Sequence, residues 1–337
     1  MTFHYRIYGL CLSSDSAIPG LHPLPACNST PDLHGQFASE PEWVRHALTL
    51  PRSVLHTLPA CAETRDPAFV LSSLGDGQFF QLDYSDGARF VTDAAATRVW
   101  GAPGPAQTLE DLATYFLGPI LGYLLRRRGT TALHASAVCL DGKAIAFAGG
   151  AGSGKSTTAA AFALRGSPIL CEDIAALEEE PDGFHLHAGH SRICLWPESV
   201  RILFGQSEAL PLLTPTWDKR FLALDGALAV QETRDCPLGA IYLFAARASA
   251  NAPRIEEVSS RDVLVELVQN TYMNWLLERR QRADEFALLS RLVSQVPVRR
   301  VVPHRNPAKL GALGDLLLAD AARSLSGRIA LPAAAAR

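Results

Sequence analysis

Residues 143–165 read KAIAFAGGAGSGKSTTAAAFALR and contain the signals that decide the fold. The first seven residues are nearly all apolar, as in a buried strand. A glycine-rich stretch follows, and the alanine-rich run 155–165 then has high helix propensity and stops at Gly166, a residue type that commonly ends helices. Because a strand, a glycine loop and a helix in this order are typical of α/β proteins, we expect an α/β fold.

The glycine-rich stretch matches the pattern Gly-x-x-x-x-Gly-Lys-Ser, from Gly149 to Ser156. Its backbone N–H groups and the start of the following helix form an electropositive cup for phosphate oxygens. Lys155 adds a charge for the β- and γ-phosphates of a nucleotide, and the Ser156 hydroxyl is a ligand type for Mg²⁺. A glycine turn that matches by chance is the alternative. We predict that ATP and Mg²⁺ bind at Gly149, Gly150, Ala151, Gly152, Ser153, Gly154, Lys155, Ser156 and Thr157.

Two adjacent acids, Glu172 and Asp173, follow the short apolar run 169–171. A strand that ends beside the phosphate loop would hold one carboxylate on the metal and turn the other towards a phosphate acceptor. An exposed turn with two acids is the alternative. Only one short helix and one short strand separate the pair from Lys155, whereas ATPase motors place their second acidic motif much further along the chain. The spacing therefore argues against a motor ATPase.

The order of these motifs resembles the catalytic core of the HPr kinase/phosphatase family. The matching residues are His134 in the run ALHAS, the phosphate loop, Arg165-Gly166 after the loop helix, and the acid pair. The resemblance covers about a third of the chain, from roughly residue 130 to 245. It implies the fold shared with phosphoenolpyruvate carboxykinase, and a reaction that moves the γ-phosphoryl group of ATP to a serine hydroxyl.

The resemblance also implies a role for each residue of this core. Glu172 would be the general base that accepts the serine proton, whereas Asp173 and Ser156 would hold Mg²⁺. Lys155 would neutralise the transferring phosphoryl group, and His134 would lie beside the acceptor. An ordinary strand histidine is the alternative interpretation of His134.

Two later segments extend the resemblance. Residues 191–205, SRICLWPESVRILFG, and 217–225, WDKRFLALD, resemble family segments that carry a basic residue. The resemblance implies that Arg192 and Arg220 bind substrate or phosphate, and surface arginines are the alternative. Where the family has two aspartates this chain has Glu-Asp, and residues 234–246 replace the family's Gly-Arg-Asn-rich segment. These departures weaken the case for HPr as substrate and for the reverse phosphorolysis.

The two ends of the chain indicate a subgroup. Residues 5–21, YRIYGLCLSSDSAIPGL, and 296–313, VPVRRVVPHRNPAKLGAL, resemble the HPr-kinase-like proteins associated with lasso-peptide biosynthesis. Members of that subgroup phosphorylate a serine at the C-terminus of a precursor peptide. A peptide or protein that carries a serine is therefore the expected partner.

We expect two domains and a tail. Residues 1–105 alternate short β-like runs with turn residues and include a short helical stretch, which predicts a small α+β domain for substrate recognition or assembly. Residues 106–325 form the predicted kinase domain, which contains the phosphate loop. Residues 326–337 are expected to be a loose tail.

Composition limits the other possibilities. The chain has 337 residues, 48% hydrophobic and 19% charged, with a formal net charge of −3, so it offers no chain-wide attraction for nucleic acid or membrane. It shows no signal peptide and no apolar stretch of about 18 residues. Seven widely spaced cysteines without a CxxC pair favour reduced thiols and a cytoplasmic location. A homo-oligomer is compatible with the sequence.

Three alternatives remain open in the sequence. In the first alternative, the phosphate acceptor is a small hydroxyl metabolite such as free serine instead of a peptide. A nucleotide-sensing regulator that binds ATP without transferring phosphate is the second. The third concerns His185, His187 and His190, which are spaced on a strand and turn so that they could hold a metal, although a polar edge strand is the simpler explanation.

Overall fold

The computed structural model describes residues 1–25, 30–60 and 67–326. Cys27, Cys61 and the predicted tail beyond residue 326 lie outside the described residues. The fold is mixed α/β, with two eight-stranded sheets and one three-stranded sheet. Two compact units divide the chain, and the first consists of Met1–Thr130, His190–Arg192 and Pro211–Phe221. The second consists of Thr131–Gly189, Ile193–Leu210 and the chain from Leu222 onwards.

The first unit is built on a mixed sheet with the strand order β1-β2-β3-β8-β7-β6-β5-β4. Its strands are β1 Phe3–Ile7, β2 Leu10–Ser14, β3 Leu33–Gln36, β4 Arg52–Ala60, β5 Pro67–Leu74, β6 Phe79–Tyr84, β7 Arg89–Asp93 and β8 Arg98–Ala102. Helix α1, Glu42–Thr49, buries Val44 and Ala47 against Leu74 and Trp100. The short helix and the β-like runs that the sequence indicates in this region are thus present.

A broken helix follows at residues 108–128. Thr108 caps helix α2, Leu109–Tyr115, through a capping box with Asp111. A π-helical turn, Phe116–Ile120, contains Pro119, and helix α3, Leu121–Arg127, continues the chain. Proline explains the break because it lacks the N–H that the helical ladder needs.

This broken helix packs on the sheet of the first unit. The Phe116 ring lies 5.0 Å from that of Phe37, and the Tyr123 ring lies 6.2 Å from that of Phe80. The unit boundary therefore falls after Thr130, later in the chain than the predicted boundary at residue 105.

The remaining elements follow in chain order. They are β9 Ala132–Leu140, β10 Lys143–Gly149, α4 Lys155–Ala163, β11 Ile169–Cys171, β12 Ile174–Glu180, β13 Gly183–Leu186, β14 Arg192–Leu195, α5 Pro197–Phe204, β15 Leu212–Thr214, β16 Trp217–Ala223, β17 Cys236–Phe244, β18 Arg254–Glu256, α6 Ser260–Gln269, α7 Arg279–Gln295, β19 Val298–Val302 and α8 Leu310–Ser326. The second large sheet has the order β10-β9-β12-β13-β17-β19-β18, with β11 on β9 and a further pairing of β10 with β17.

Three strands of this sheet, β10, β17 and β19, are parallel neighbours. Phe147 of β10 is fully buried, and its ring lies 5.3 Å from that of Phe162 in α4 and 6.0 Å from that of Phe244 in β17. Burial of one such side chain stabilises the fold by about 2–3 kcal/mol. This aromatic core fixes α4 against the sheet, and so fixes the loop that joins β10 to α4.

The structure differs from the sequence-based expectation in two places. The apolar run ALAVQ at residues 227–231 is typical of a short buried strand, but Val230 and Gln231 make only isolated bridges there. The helical pattern of 260–296 divides into α6 and α7, with a short 3-10 turn, Asn274–Leu276, between them. No described helix is both long enough and apolar enough to cross a membrane.

Candidate functional site

The glycine loop turns sharply between β10 and α4. Gly149 ends the strand, and Gly154 caps the helix with φ +108°, a conformation that residues with a side chain rarely adopt. A Cβ on Gly149 would lie 3.0 Å from the Phe244 carbonyl oxygen and 3.1 Å from Ser153 Oγ. Both glycines are therefore required by the backbone path, which brings the N-terminus of α4 to the carboxyl edge of the sheet.

Lys155 lies inside this loop. Its Nζ donates hydrogen bonds to the carbonyl oxygens of Gly149 at 2.8 Å and Gly150 at 3.0 Å, and the side chain is only 6% exposed. Burial lowers the pKa of Lys155, and the negative charges of Asp173 and Glu172 partly counteract this effect. The lysine ammonium group thus lies among the loop carbonyls, within the field of both predicted acids.

Glu172 is the acid beside the loop hydroxyl. Ser156 Oγ donates a hydrogen bond to Glu172 Oε1 at 2.8 Å, and the Glu172 side chain is buried. A hydroxyl and a carboxylate oxygen at this separation are a ligand set suited to Mg²⁺. The family resemblance implies instead that Asp173 holds the metal with Ser156, and that assignment stays a prediction.

Asp173 faces a different set of groups. Its Oδ1 lies 3.2 Å from His134 Nε2, and its Oδ2 accepts a hydrogen bond from the Tyr272 hydroxyl at 3.2 Å. The side chains of Asp173 and His134 are 38% and 30% exposed, so solutes can reach them. The structure thus brings His134, Asp173 and Tyr272 together.

The backbone makes a tight turn at the acid pair. Asp173 adopts φ +66° between β11 and β12, and Ile174 donates its N–H to the Glu172 carbonyl at 2.8 Å. Left-handed backbone at a non-glycine residue is uncommon and is found often at functional sites. On β12, Ile174 pairs with His134 of β9, which places the histidine next to the turn.

Tyr272 was missed because no local motif marks it. The break between α6 and α7 contains it, and an isolated bridge between Leu133 and Thr271 holds this segment on β9. The Tyr272 N–H also donates to the Ala132 carbonyl at 2.8 Å. Only the folded chain brings residues so far apart in sequence together.

Two arginines near the loop were also missed. Arg247 follows β17, and its Nη2 donates to the Gly152 carbonyl at 3.2 Å. Arg305 follows β19, and its Nε donates to the Arg247 carbonyl at 3.2 Å. The carboxyl ends of parallel strands meet at one edge of a sheet, where ligands bind in α/β folds. The sequence signal that could have identified these arginines is the short basic segment that follows each of the two strands.

A cleft with a cavity volume of about 200 Å³ lies beside the loop. Its lining includes Gly154, Thr157, Ser199, Phe244, His304 and Asn306. This volume lies below the range of about 300–1,000 Å³ typical of ligand sites, so the cleft is a small one. Thr157 and Ser199 share a hydrogen bond of 2.8 Å in its wall, between α4 and α5.

Ser153 tests whether these residues fit a phosphate-bearing ligand. Its Oγ is buried and has no hydrogen-bond partner among the described residues. A buried hydroxyl without a partner is costly unless a ligand or water satisfies it. Together with the loop N–H groups, Lys155 and the adjoining cleft, this hydroxyl fits the predicted nucleotide.

The remaining predicted site residues belong to other surroundings. Arg192 is buried in the first unit, where its Nη2 lies 3.3 Å from Thr114 Oγ1, a hydrogen-bonding distance. Arg220 lies on β16 opposite Leu212 of β15, also within the first unit. A role for either arginine in binding substrate or phosphate stays a prediction.

The three histidines have separate partners. His187 lies between Glu178 and Asp235, at 3.2 and 3.1 Å, whereas His185 lies 3.8 Å from Glu180 and 3.7 Å from Asp182. His190 is grouped with the first unit. Within the described chain the three histidines do not converge on one set of ligand atoms.

Comparisons with known proteins find similarity only at the level of solved structures. No family model and no curated protein matches the chain. Among solved structures, the Hpr(Ser) kinase/phosphatase from Coxiella burnetii matches at 14% sequence identity and a TM-score of 0.32, and the match covers 58% of this chain and 93% of that chain. A TM-score this low does not by itself establish a shared fold or a shared activity.

Proposed function

We propose that this protein is an ATP- and Mg²⁺-dependent kinase that transfers the γ-phosphoryl group to a serine hydroxyl of a peptide or protein. The observation that carries this proposal is the division of the acid pair. Glu172 contacts the hydroxyl of the phosphate loop, and Asp173 contacts His134 and Tyr272 on an accessible face. Phosphoryl transfer needs a metal-binding group on the donor side and a base on the acceptor side.

On the donor side, the loop N–H groups and Lys155 bind and orient the phosphates. Ser156 and Glu172 hold Mg²⁺ through a hydroxyl and a carboxylate oxygen. Bound Mg²⁺ supplies charge neutralisation at the phosphate oxygens. Arg247, next to the Gly152 carbonyl, adds positive charge at the outer end of the loop.

On the acceptor side, Asp173 takes the proton of the serine hydroxyl at one of its two carboxylate oxygens. His134 and Tyr272 orient this carboxylate, because each lies 3.2 Å from a different oxygen. This assignment exchanges the roles of Glu172 and Asp173 relative to the one implied by the family resemblance. A nucleotide sensor needs no such acceptor cluster, so the geometry supports transfer over sensing.

We also propose a substrate, a domain type and a cellular compartment for this protein. By resemblance of the chain ends, the substrate is a lasso precursor peptide with a C-terminal serine. The domain type is that of HPr kinase and phosphoenolpyruvate carboxykinase, preceded by a substrate-recognition or assembly unit. The five described cysteines are free thiols, which fits a reducing cytoplasm.

An intact-mass assay tests the proposal directly. The full-length protein is incubated with ATP and Mg²⁺ and with three acceptors in parallel: a peptide ending in serine, an HPr-like protein and free serine. We expect a gain of about 80 Da, one phosphoryl group, on the peptide alone. A gain on free serine alone would instead assign the small-acceptor kinase, and tight nucleotide binding with no gain on any acceptor would assign the sensor.

A further inference from the structure

Two buried thiols meet away from the phosphate loop. Cys139 lies near the end of β9 and Cys236 begins β17, and their Sγ atoms are 3.6 Å apart. Both residues are buried, at 7% and 4% exposure. The two strands are each paired with β10, which runs into the phosphate loop. Neither thiol has a part in the proposed transfer reaction.

A carboxylate completes the group. The ligand atoms of Cys139, Cys236 and Glu232 all lie within 4.8 Å of one another. The Glu232 side chain is only 14% exposed. Its Oε1 accepts hydrogen bonds from the Arg234 backbone N–H at 3.0 Å and from Arg234 Nε at 3.1 Å, which fixes its position.

The spacing of the sulfur atoms favours a metal ion over a disulfide. A tetrahedral Zn²⁺ site with Zn–S bonds of about 2.3 Å places two sulfurs about 3.8 Å apart, close to the distance in this structure. A disulfide has an S–S distance of about 2.05 Å, so the two sulfur atoms are not bonded to each other in this structure. We propose that Cys139, Cys236 and Glu232 bind a thiophilic divalent cation such as Zn²⁺, with water as the fourth ligand.

The charges of this site balance. Binding displaces the two thiol protons to solvent, so two thiolates and one carboxylate surround the ion and leave a net charge of −1. The Arg234 guanidinium group, an ion-pair partner of Glu232, offsets this charge. The ion links β9, which also carries His134, to β17, and so braces the strands on both sides of β10.

Cobalt substitution and X-ray absorption test the site on the full-length protein. Reduced, chelator-treated protein is titrated with Co²⁺ without nucleotide, and the expected result is a sulfur-to-cobalt charge-transfer band that saturates at one equivalent. Cys139→Ala and Cys236→Ala should abolish the band, and Glu232→Gln should weaken cobalt affinity at least tenfold. Cys194→Ala, which removes a half-buried thiol of β14, is the matched control and should leave the band unchanged.

X-ray absorption fine structure of the Zn²⁺-loaded wild type identifies the ligand atoms of the ion directly. This measurement needs no variant, so it tests the site even if a variant fails to fold. Two sulfur and two oxygen neighbours are expected. No sulfur neighbour, a band that survives both cysteine variants, or a mapped Cys139–Cys236 disulfide, seen by mass as a stable loss of two hydrogen atoms, would overturn the proposal. Because no nucleotide or acceptor is present, the outcome is independent of kinase activity.

Discussion

At the scale of single residues, the acid pair shows how one backbone angle separates two chemical roles. Glu172 and Asp173 are adjacent and alike in charge, yet Glu172 lies against Ser156 and Asp173 against His134 and Tyr272. Asp173 adopts a left-handed backbone conformation at this turn. A pattern of two acids after a strand predicts a site, but it does not say which acid faces which side.

Replacing each acid by its amide should separate these roles. We expect Glu172→Gln to raise the Mg²⁺ concentration for half-maximal activity by about 10- to 100-fold, because a metal ligand loses its charge. Asp173→Asn should lower kcat by about 10²- to 10⁴-fold with little change in Mg²⁺ dependence, because a general base is lost. Steady-state kinetics at several Mg²⁺ concentrations measure both.

Asparagine tolerates left-handed backbone, so Asp173→Asn should keep the native turn. Unchanged thermal unfolding of both variants is the control for folding. If Asp173→Asn altered the Mg²⁺ requirement and Glu172→Gln did not, the assignment implied by the family resemblance would be correct instead.

Lys155→Ala should remove transfer without unfolding the protein. The lysine charge lies inside the loop, where it stabilises phosphate charge in the transition state, so we expect kcat/KM to fall by about 100- to 1,000-fold or more. Lys143→Ala, at the start of the same strand, is a matched control that removes a half-buried lysine away from the loop. Retention of full transfer by Lys155→Ala would exclude the proposed kinase site.

At the scale of elements, the chain turns at a glycine on each side of helix α4. Gly154 and Gly166 stand at opposite ends of α4, with φ of +108° and +92°. A Cβ on Gly154 would lie 3.3 Å from Arg247 Nη2, whereas a Cβ on Gly166 would meet nothing within 4 Å. Both glycines permit the chain to turn, but only Gly154 does so where phosphate is proposed to bind.

Alanine at each position should therefore have different effects. Either substitution imposes a positive φ on alanine and should lower the free energy of unfolding by about 1–3 kcal/mol. Only Gly154→Ala should also weaken nucleotide binding, by at least about tenfold, since one pKd unit corresponds to about 1.4 kcal/mol. Thermal unfolding and calorimetric titration with ATP measure the two effects. Equal nucleotide affinity in both variants would contradict this view of the loop.

Asp111 of α2 provides a pH-dependent contribution to stability. It is fully buried, which favours the neutral form, but hydrogen bonds from Thr216, the Thr108 backbone and Thr214 outweigh burial and lower its pKa. The folded state therefore favours the carboxylate. Stability from this group is complete above the ordinary aspartate pKa of about 3.9 and is lost as the pH falls towards the lowered folded value.

Denaturant unfolding between pH 5 and 2 should show this contribution as a fall in the free energy of unfolding on acidification. We expect Asp111→Asn to be less stable than the wild type at pH 7 and to lose less stability below about pH 4. Glu110→Gln is the matched control, because Glu110 is one residue earlier in the chain and is exposed. An equal acid slope in the wild type and Asp111→Asn would contradict the assignment.

At the scale of the whole molecule, the first unit is not continuous in sequence. It takes His190–Arg192 and Pro211–Phe221 from the later chain. Ser191 Oγ donates to the Gly20 carbonyl at 2.8 Å, and the Trp217 ring lies 5.4 Å from that of Tyr115. Residues from well beyond residue 105 thus belong to the first compact unit.

A fragment that begins at residue 106 should therefore fold poorly. It lacks the sheet of β1–β8 on which the broken helix at 108–128 packs, so Phe116 and Tyr123 lose the ring partners that bury them. We expect residues 106–337 to be largely insoluble, or to lack near-ultraviolet circular dichroism, whereas the full chain unfolds cooperatively. A soluble fragment with cooperative unfolding would show that the predicted boundary at 105 is a true domain boundary.

The sequence by itself determined the local features of this protein. The strand, glycine loop and helix at 143–165, the cap at Thr108 and the break at Pro119 all follow from signals within a few residues of each other. Such signals act through local backbone conformation, so they can be read without knowledge of the rest of the chain. The pairing of His134 with the acid turn was predicted only by resemblance to known spacing.

Tertiary structure alone decided which groups share a site. Tyr272 reaches Asp173 through the bridge between Thr271 and Leu133, and Arg247 reaches the loop because β17 lies parallel to β10. It also decided that Glu172 lies at Ser156. These contacts depend on strand order and on one left-handed residue, which arise from long-range packing, and no local pattern in the sequence records them.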